Sequence, residues 1–420
     1  MQVKMAYGKE GLLVNFPEEI TLVEPEFVSG LKDEYLAMQE VLRNPLGTPA
    51  IQKIASMHDQ IAIVFSDLTR PQPREKMLNI LLEELSHIPS EQIVLINALG
   101  THRPNSQVEL LEMLGKEIVE KYCIEQHNAW DFKAMTQVGE PNGRPVFVNS
   151  TYMQADVKIL TGFIEPHLFA GFSGGPKSVL PGITDYKTIA YNHGADIISD
   201  PRAIWGKLEG NPMWQEMKTV ALMTAPDFLF NVSLNKDQEI TGVFAGDLIQ
   251  AHAQGTSFVK AVAMVPVQEA FDVVVTSNSG YPLDLNLYQA VKGMSAAAQI
   301  VKPGGSILIT AECWEGLPDH GAYGDLLNVA EDVQGLLDHI HGLEPPQHDQ
   351  WQVQVQAQIL QKADVYVYSD YLDDEKLKQA KVNKVISVEK TIRELKRKYG
   401  PTTRICVMPE GPMTIPYISD

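Results

Sequence analysis

The side chains in this chain best suited to chemistry sit just beyond short apolar runs. His102 in "GTHRP" and His167 in "HLFAGFSGGPKSVLPG" each follow one. Imidazole, with a free pKa of about 6.5, moves protons in both directions near neutrality. Either histidine alone reads as readily as a packed or capping residue; two at strand ends of one domain point to acid–base work. Lys177 lies in the same run as His167, among Gly171, Gly174, Gly175 and Gly182. Ordered glycine costs conformational entropy, so such a cluster implies that the backbone approaches something closely. That something is another chain segment, a phosphate, or a small molecule joined to Lys177.

The same run superficially resembles a phosphate-binding P-loop, GxxxxGK[ST]. Here Pro176 stands where glycine must precede the lysine, and proline has no N–H to give a phosphate, which argues against NTP hydrolysis. The backbone amides of Ser173, Gly174 and Gly175 remain a possible cradle for a phosphate held differently. A Schiff-base lysine is a further option, but no pyridoxal-binding pattern accompanies it. In "SDLTRPQP", Asp67, Leu68, Thr69 and Arg70 fall on a turn after "IAIVF". Arg70 there is a two-pronged clamp for a carboxylate or phosphate, or else half of an Asp67–Arg70 pair bracing the turn. "YNHGAD" holds His193 with no second histidine at i+3 or i+4, so any metal at His193 needs ligands from elsewhere. In "SGYPLDLNLYQAVKG", Tyr288, Gln289 and Lys292 are three and four apart and share one helix face. His339, His341 and His348 flank "HGLEPPQHDQ", which reads as a surface loop with solvated histidines.

These residues need elements to hold them. Apolar runs rich in Val and Ile recur at 61–65, 92–98, 157–162, 227–233, 272–276, 306–312, 364–369, 384–388 and 404–411, the signature of buried parallel strands. Between them, "PREKMLNILLEELSHI" and "NSQVELLEMLGKEIVEKY" carry apolar residues at helical spacing. Strand–helix alternation implies an α/β fold with mostly parallel sheets, whose ligands bind beyond the carboxyl ends of the strands. At 420 residues the chain exceeds one ordinary core, and a new strand–helix series begins near "VPVQEAFD". We therefore expect two α/β domains, an N-terminal one over 1–268 and a C-terminal one over 269–402.

Composition narrows the partners. A hydrophobic content of 44% with 21% charged residues is that of a globular protein. A formal charge of −19 repels phosphate, so neither nucleic acid nor an anionic membrane surface is expected as a partner. Cys123, Cys313 and Cys406 are scattered, giving neither a disulfide framework nor a zinc site and suiting a reducing compartment. With no signal peptide pattern and no apolar run of membrane-spanning length, a cytoplasmic location is expected.

Taken together and in order, "SDLTRPQP", "GTHRP", "HLFAGFSGGPKSVLPG", "YNHGAD" and "SGYPLDLNLYQAVKG" resemble the nickel-dependent lactate racemase family. The resemblance implies two α/β domains with the active site in the interdomain cleft and a chain end, 403–420, returning to the first domain. It implies a nickel-pincer nucleotide, Ni(II)-pyridinium-3,5-bisthiocarboxylic acid mononucleotide, linked covalently through Lys177, with His193 completing the nickel coordination. His102 and His167 match the catalytic acid/base pair. Asp67, Leu68, Thr69 and Arg70 match the stretch lining cofactor and substrate, Arg70 holding the substrate carboxylate. Ser173, Gly174 and Gly175 would then pass beside the nucleotide, and Tyr288, Gln289 and Lys292 would reach the substrate from the second domain. The activity implied is inversion of C2 in a small-molecule 2-hydroxy acid by hydride transfer, with cofactor-biosynthesis enzymes as partners. The alternatives are epimerisation of a larger 2-hydroxy acid (a sugar acid, malate or an aryl hydroxy acid), or a non-catalytic nucleotide- or nickel-binding protein.

Overall fold

The computed structural model describes residues 1–17, 19–318 and 321–419. Two units, each with its own sheet and core, make up the chain. The first comprises Phe27–Asn192 and Arg202–Ala261, and the second Met1–Glu26, His193–Pro201 and Val262–Asp420.

The first unit is built on six strands in the order Ile240–Gly246, Phe228–Leu234, Val157–Phe163, Ile61–Ser66, Ile93–Ala98, Cys123–Gln126. All pairings are parallel except that of the Ile240–Gly246 edge strand. Ile61 to Phe65 are completely buried, as a central strand covered by helices on both faces must be. Ile63 and Phe65 pack with Leu78 and Leu81 of the Arg74–Glu84 helix. The helical pattern at 105–122 becomes two helices, Gln107–Leu114 and Lys116–Lys121, parted at Gly115. A capping box between Ser106 and Glu109 starts the first of them, just after the turn that carries His102.

The second unit has an all-parallel sheet in the order Asn383–Val385, Ala363–Tyr368, Val301–Thr310, Phe271–Ser277, Ile405–Met408, Thr21–Leu22. The chain end therefore does not return to the first unit. Ile405–Met408 is buried throughout and lies between Phe271–Ser277 and Thr21–Leu22, with Val273 opposite Ile405 and Cys406 opposite Thr21. An apolar strand of this kind needs a neighbour on each side, and the N-terminal segment supplies the second. For the same reason residues 1–26 belong to this unit and not to the domain expected over 1–268. The expected strand at 384–388 stops at Val385 because Ser387 caps the Val388–Tyr399 helix, its side chain accepting from the Lys390 amide. Among the described residues no helix is long and apolar enough to cross a membrane.

Candidate active site

Three neighbouring strands of the first unit, Val157–Phe163, Ile61–Ser66 and Ile93–Ala98, end beside one another and carry the expected chemistry on the loops that follow. The turn after Ile61–Ser66 is held by Arg74, a residue that is 7% exposed. Its guanidinium donates to the carbonyls of Ser66 (2.5 Å), Gln72 (3.2 Å), Arg70 (2.5 Å) and Asp67. Burial pulls its pKa down to about 10, so it stays charged at neutral pH. Gln72, also buried, accepts from the Ser66 amide at 2.9 Å and donates to Thr161 Oγ1 at 2.9 Å, tying this turn to the adjacent strand.

That scaffold presents Asp67. Its carboxylate is 2.7 Å from His102 Nδ1 and accepts from the Thr69 hydroxyl at 3.0 Å. Burial on its own would raise the Asp67 carboxyl. The hydrogen bond and charge of His102, the Arg70 charge and the Thr69 hydroxyl outweigh it and hold the group below the usual carboxylate range. A carboxylate at Nδ1 keeps the proton there and leaves Nε2 of the neutral ring as a proton acceptor. The His102 side chain is 42% exposed, so that nitrogen is reachable from outside. The alternative of an Asp67–Arg70 brace is not what forms: Asp67 serves His102, and Arg74 braces the turn. Arg70 makes no ion pair among the described residues, and Leu68 is exposed. Arg103, next to His102, is instead engaged with Glu109 at 2.6 Å.

His167 is set differently. It lies in the short hairpin Pro166–His167 with Gly171–Phe172, where its Nδ1 accepts from the backbone amides of Phe169 (3.3 Å) and Ala170 (3.2 Å). Its Nε2 is 3.4 Å from Lys177 Nζ. Lys177 sits in the single turn Gly175–Ser178, anchored where Ser178 Oγ donates to the Thr161 carbonyl at 3.2 Å.

The glycine-rich loop packs first against its own protein. Gly174 (φ +73°) and Gly175 (φ +51°) take left-handed backbone, and a Cβ on either would come within 2.6 Å of Asn231 Oδ1 or 2.5 Å of the His252 ring. Two of the three amides expected to cradle a phosphate, those of Ser173 and Gly175, are bonded within the protein. The Ser173 amide donates to the Glu165 carbonyl at 2.8 Å, and the Gly175 amide to Asn231 Oδ1 at 2.8 Å. Ser173 Oγ likewise donates to the Phe163 carbonyl at 3.0 Å and accepts from the Glu165 amide at 2.8 Å. These donors are occupied in positioning Lys177.

His252 completes the loop's support. It is 2% exposed, donates to the Ser173 carbonyl at 3.0 Å and lies parallel to the Trp214 ring. Burial pulls its pKa down to about 4. Above its ordinary value near 6.5 neither folded nor unfolded chain protonates it, and its contribution is complete. Between about 6.5 and about 4 the unfolded chain takes up a proton that the folded one refuses, so stability falls with pH by about 3 kcal/mol in all. Urea denaturation from pH 7 to pH 4 should therefore show the wild type losing more stability than His252→Gln across this window. Parallel curves for the two proteins would refute the assignment.

The remaining predicted residues belong to the second unit. The Asn286 side chain caps the Leu287–Ala298 helix by accepting from the Gln289 amide at 3.1 Å. Tyr288, Gln289 and Lys292 on this helix are all half-buried. Tyr288 accepts from Trp351 Nε1 at 3.2 Å. His193 is 8% exposed, and its ring centroid is 5.2 Å from that of Trp351. Gln354, from the same helix as Trp351, donates at 2.8 Å to both the Ala195 carbonyl and Ser199 Oγ and so fixes the segment after His193. Among the described residues no group of three or more His, Cys, Asp or Glu side chains is arranged to hold a metal, His339, His341 and His348 included.

Sequence reasoning did not find Arg74, Gln72, Asn231, His252, Trp351 or Gln354. One of them left a signal: a cation in the first turn of a helix, as Arg74 is, opposes the helix dipole and needs another reason to be there.

Comparison with known proteins gives a consistent picture. Residues 7–206 match the family described as "Lactate racemase N-terminal domain", and residues 267–415 that described as "Lactate racemase C-terminal domain". A lactate racemase of Lactiplantibacillus plantarum is 36% identical over 384 residues, 90% of each chain. One from Thermoanaerobacterium thermosaccharolyticum is 33% identical over 418 residues, 97% of each. The solved apoprotein of a lactate racemase from T. thermosaccharolyticum superimposes with a TM-score of 0.93 at 32% identity, over 99% of this chain and 100% of that one. A Thermotoga maritima protein, at 15% identity and a TM-score of 0.69 over 94% of this chain, shares the fold. This chain belongs to the lactate racemase family and is an isomerase.

Proposed function

We propose that this protein racemises a 2-hydroxy acid, lactate first among them, using a nickel-pincer nucleotide tethered through Lys177. The observation that carries this reading is the His102 ring, fixed at Nδ1 by the buried Asp67 carboxylate 2.7 Å away and accompanied by Arg70 on the same turn. The lactate racemases that resemble the chain over nearly its whole length support lactate as the substrate.

The residues present suit such a cofactor. Lys177 offers a primary amine beside His167, and His193 offers one buried imidazole. With no protein cluster of three metal-binding side chains among the described residues, a metal at His193 would have to arrive with most of its ligands, as one gripped by sulfur arms does. When bound, the group supplies an electrophilic hydride acceptor, so the weakly acidic C2–H bond breaks without a free carbanion.

The chain's own residues supply the rest. Arg70 binds the substrate carboxylate through paired N–H donors, with Gln289 and Lys292 as further substrate-binding groups and Tyr288 beside them. His102 Nε2 takes the hydroxyl proton, and Asp67 stabilises the imidazolium that results. The planar 2-keto acid then accepts hydrogen on either face, and each histidine serves one enantiomer. The two are not equivalent: for His167 to take a proton at Nε2, its Nδ1 must exchange two accepted amide hydrogen bonds for a proton of its own.

Protein produced together with the cofactor-making enzymes should carry about one nickel per chain and a mass adduct on the Lys177 peptide. It should also abolish the optical rotation of L-lactate without net consumption. Zinc in place of nickel, an unmodified Lys177 and an unchanged rotation would overturn the reading.

A further inference from the structure

We infer that Asp284 is the positioning residue of the second unit's substrate-binding helix, tying the turn that launches Leu287–Ala298 to the N-terminal segment. This rests on the reading of Gln289 and Lys292 as substrate-binding groups and adds what places them. The strand Phe271–Ser277 has Val301–Thr310 on one side and Ile405–Met408 on the other, so the strand order reverses beside it. Beyond the carboxyl ends at such a point a parallel sheet leaves a crevice. Here residues 6–8 lie across it. The Ala6 amide donates to the Pro409 carbonyl at 2.9 Å, just past Ile405–Met408, and the Tyr281 amide donates to the Gly8 carbonyl at 2.8 Å, just past Phe271–Ser277. Between them the Tyr7 hydroxyl donates to Asp370 at 2.7 Å, past Ala363–Tyr368.

Asp284 fastens this segment to the turn. It is completely buried, and its Oδ2 accepts from the Gly8 amide at 2.8 Å and from the Glu312 amide at 3.0 Å. Its own amide donates to the Gly280 carbonyl at 3.0 Å, and its carbonyl accepts from the Cys313 amide at 2.9 Å. Three segments distant in sequence therefore meet on one residue, two positions before the Asn286 cap. Oδ1 is buried with no hydrogen-bond partner among the described residues, so a single oxygen makes both side-chain bonds.

The body of the helix is held by other means. Ala290, Val291 and Met294 are completely buried, and the Gly293 amide donates to Asn278 Oδ1 at 3.0 Å. The turn before it has no such anchor, since Tyr281 and Leu283 are both exposed. Hydrogen bonds fix its path instead, and that path sets where the first helical turn, with Gln289, begins.

Hydrogen exchange on the full-length, cofactor-free protein, read by peptide mass spectrometry, tests the joint without any ligand. In Asp284→Ala the amides of residues 285–291 should exchange about tenfold faster, while those of the Val301–Thr310 strand keep their wild-type rate. Gly8→Val attacks the joint from its other side, because a β-branched residue resists φ +47°, and should loosen the same amides. Asp284→Asn should exchange like the wild type, since its one side-chain oxygen accepts both bonds. In cofactor-loaded protein, Asp284→Ala and Gly8→Val should each raise KM for lactate about tenfold with kcat within about threefold, and Asp284→Asn should restore KM. Circular dichroism checks folding, and Gly8→Val carries both readouts if Asp284→Ala does not fold. Exchange that rises over the whole unit, or nowhere, overturns the inference, and so does an unchanged KM in loaded, active variants. Loosening confined to 285–291 in a protein that racemises no 2-hydroxy acid would refute the function and leave the positioning standing.

Discussion

Asp67→Asn should lower kcat for racemisation by about a thousandfold while leaving KM, nickel content and the Lys177 adduct nearly unchanged. The carboxylate is 2.7 Å from His102 Nδ1 and does two things there: it keeps the proton on that nitrogen, and it stabilises the positive ring once Nε2 has taken a proton. Asparagine fills the same space but carries no charge, and its NH2 group can donate to Nδ1 and shift the ring proton to Nε2, where it blocks the base. The Thr69 hydroxyl, now bonded to Asp67, does not compensate, because it lacks charge. Steady-state polarimetry on cofactor-loaded protein decides the matter, and a kcat within a few-fold of wild type would remove Asp67 from the mechanism. The carboxyl is held below the usual range, so the stability of this pair is present above the ordinary carboxylate pKa. It is lost as pH falls through the lowered value, and the dyad is intact at neutral pH.

The largest effect on stability should come from Arg74→Met. The guanidinium satisfies four carbonyls in the turn between the Ile61–Ser66 strand and the Arg74–Glu84 helix. Methionine fills much of the volume but leaves those buried acceptors without donors, a loss of about 3 kcal/mol. The midpoint of urea denaturation should fall accordingly, and kcat should fall with it because Asp67 and Arg70 lose their fixed turn. Arg74→Lys should sit between the two, since an ammonium keeps the charge but cannot reach all four carbonyls from one nitrogen. Unchanged denaturation of Arg74→Met would show that the turn is held by Gln72 and the strand ends alone.

How much of this was legible in the residues depended on the range of the interaction. "IAIVF", "VKILTG" and "DVVVT" announce buried parallel strands because alternation is lost when both faces of a sheet are covered. The ionisable residues beyond their ends, His102, His167 and Lys177, were equally visible, since a parallel sheet brings the loops after adjacent strands to one edge. Partners distant in sequence were not visible. Nothing in "RICVM" says that it pairs with Thr21–Leu22, because an apolar strand is compatible with any free sheet edge. The glycines at 174 and 175 promised close approach to a ligand, and the approach turned out to be to Asn231 and His252.

The sequence by itself determined the class of fold, the order of its strands and helices along the chain, and which ionisable groups stand at strand ends. These follow from local periodicity and from residue chemistry, both of which act within a few positions of the chain. The tertiary structure alone decided that Asp67 serves His102 and not Arg70, that Arg74 holds the turn, and that His167 turns Nε2 towards Lys177. Each of those outcomes depends on hydrogen-bond geometry a few tenths of an ångström wide between residues that only folding brings together.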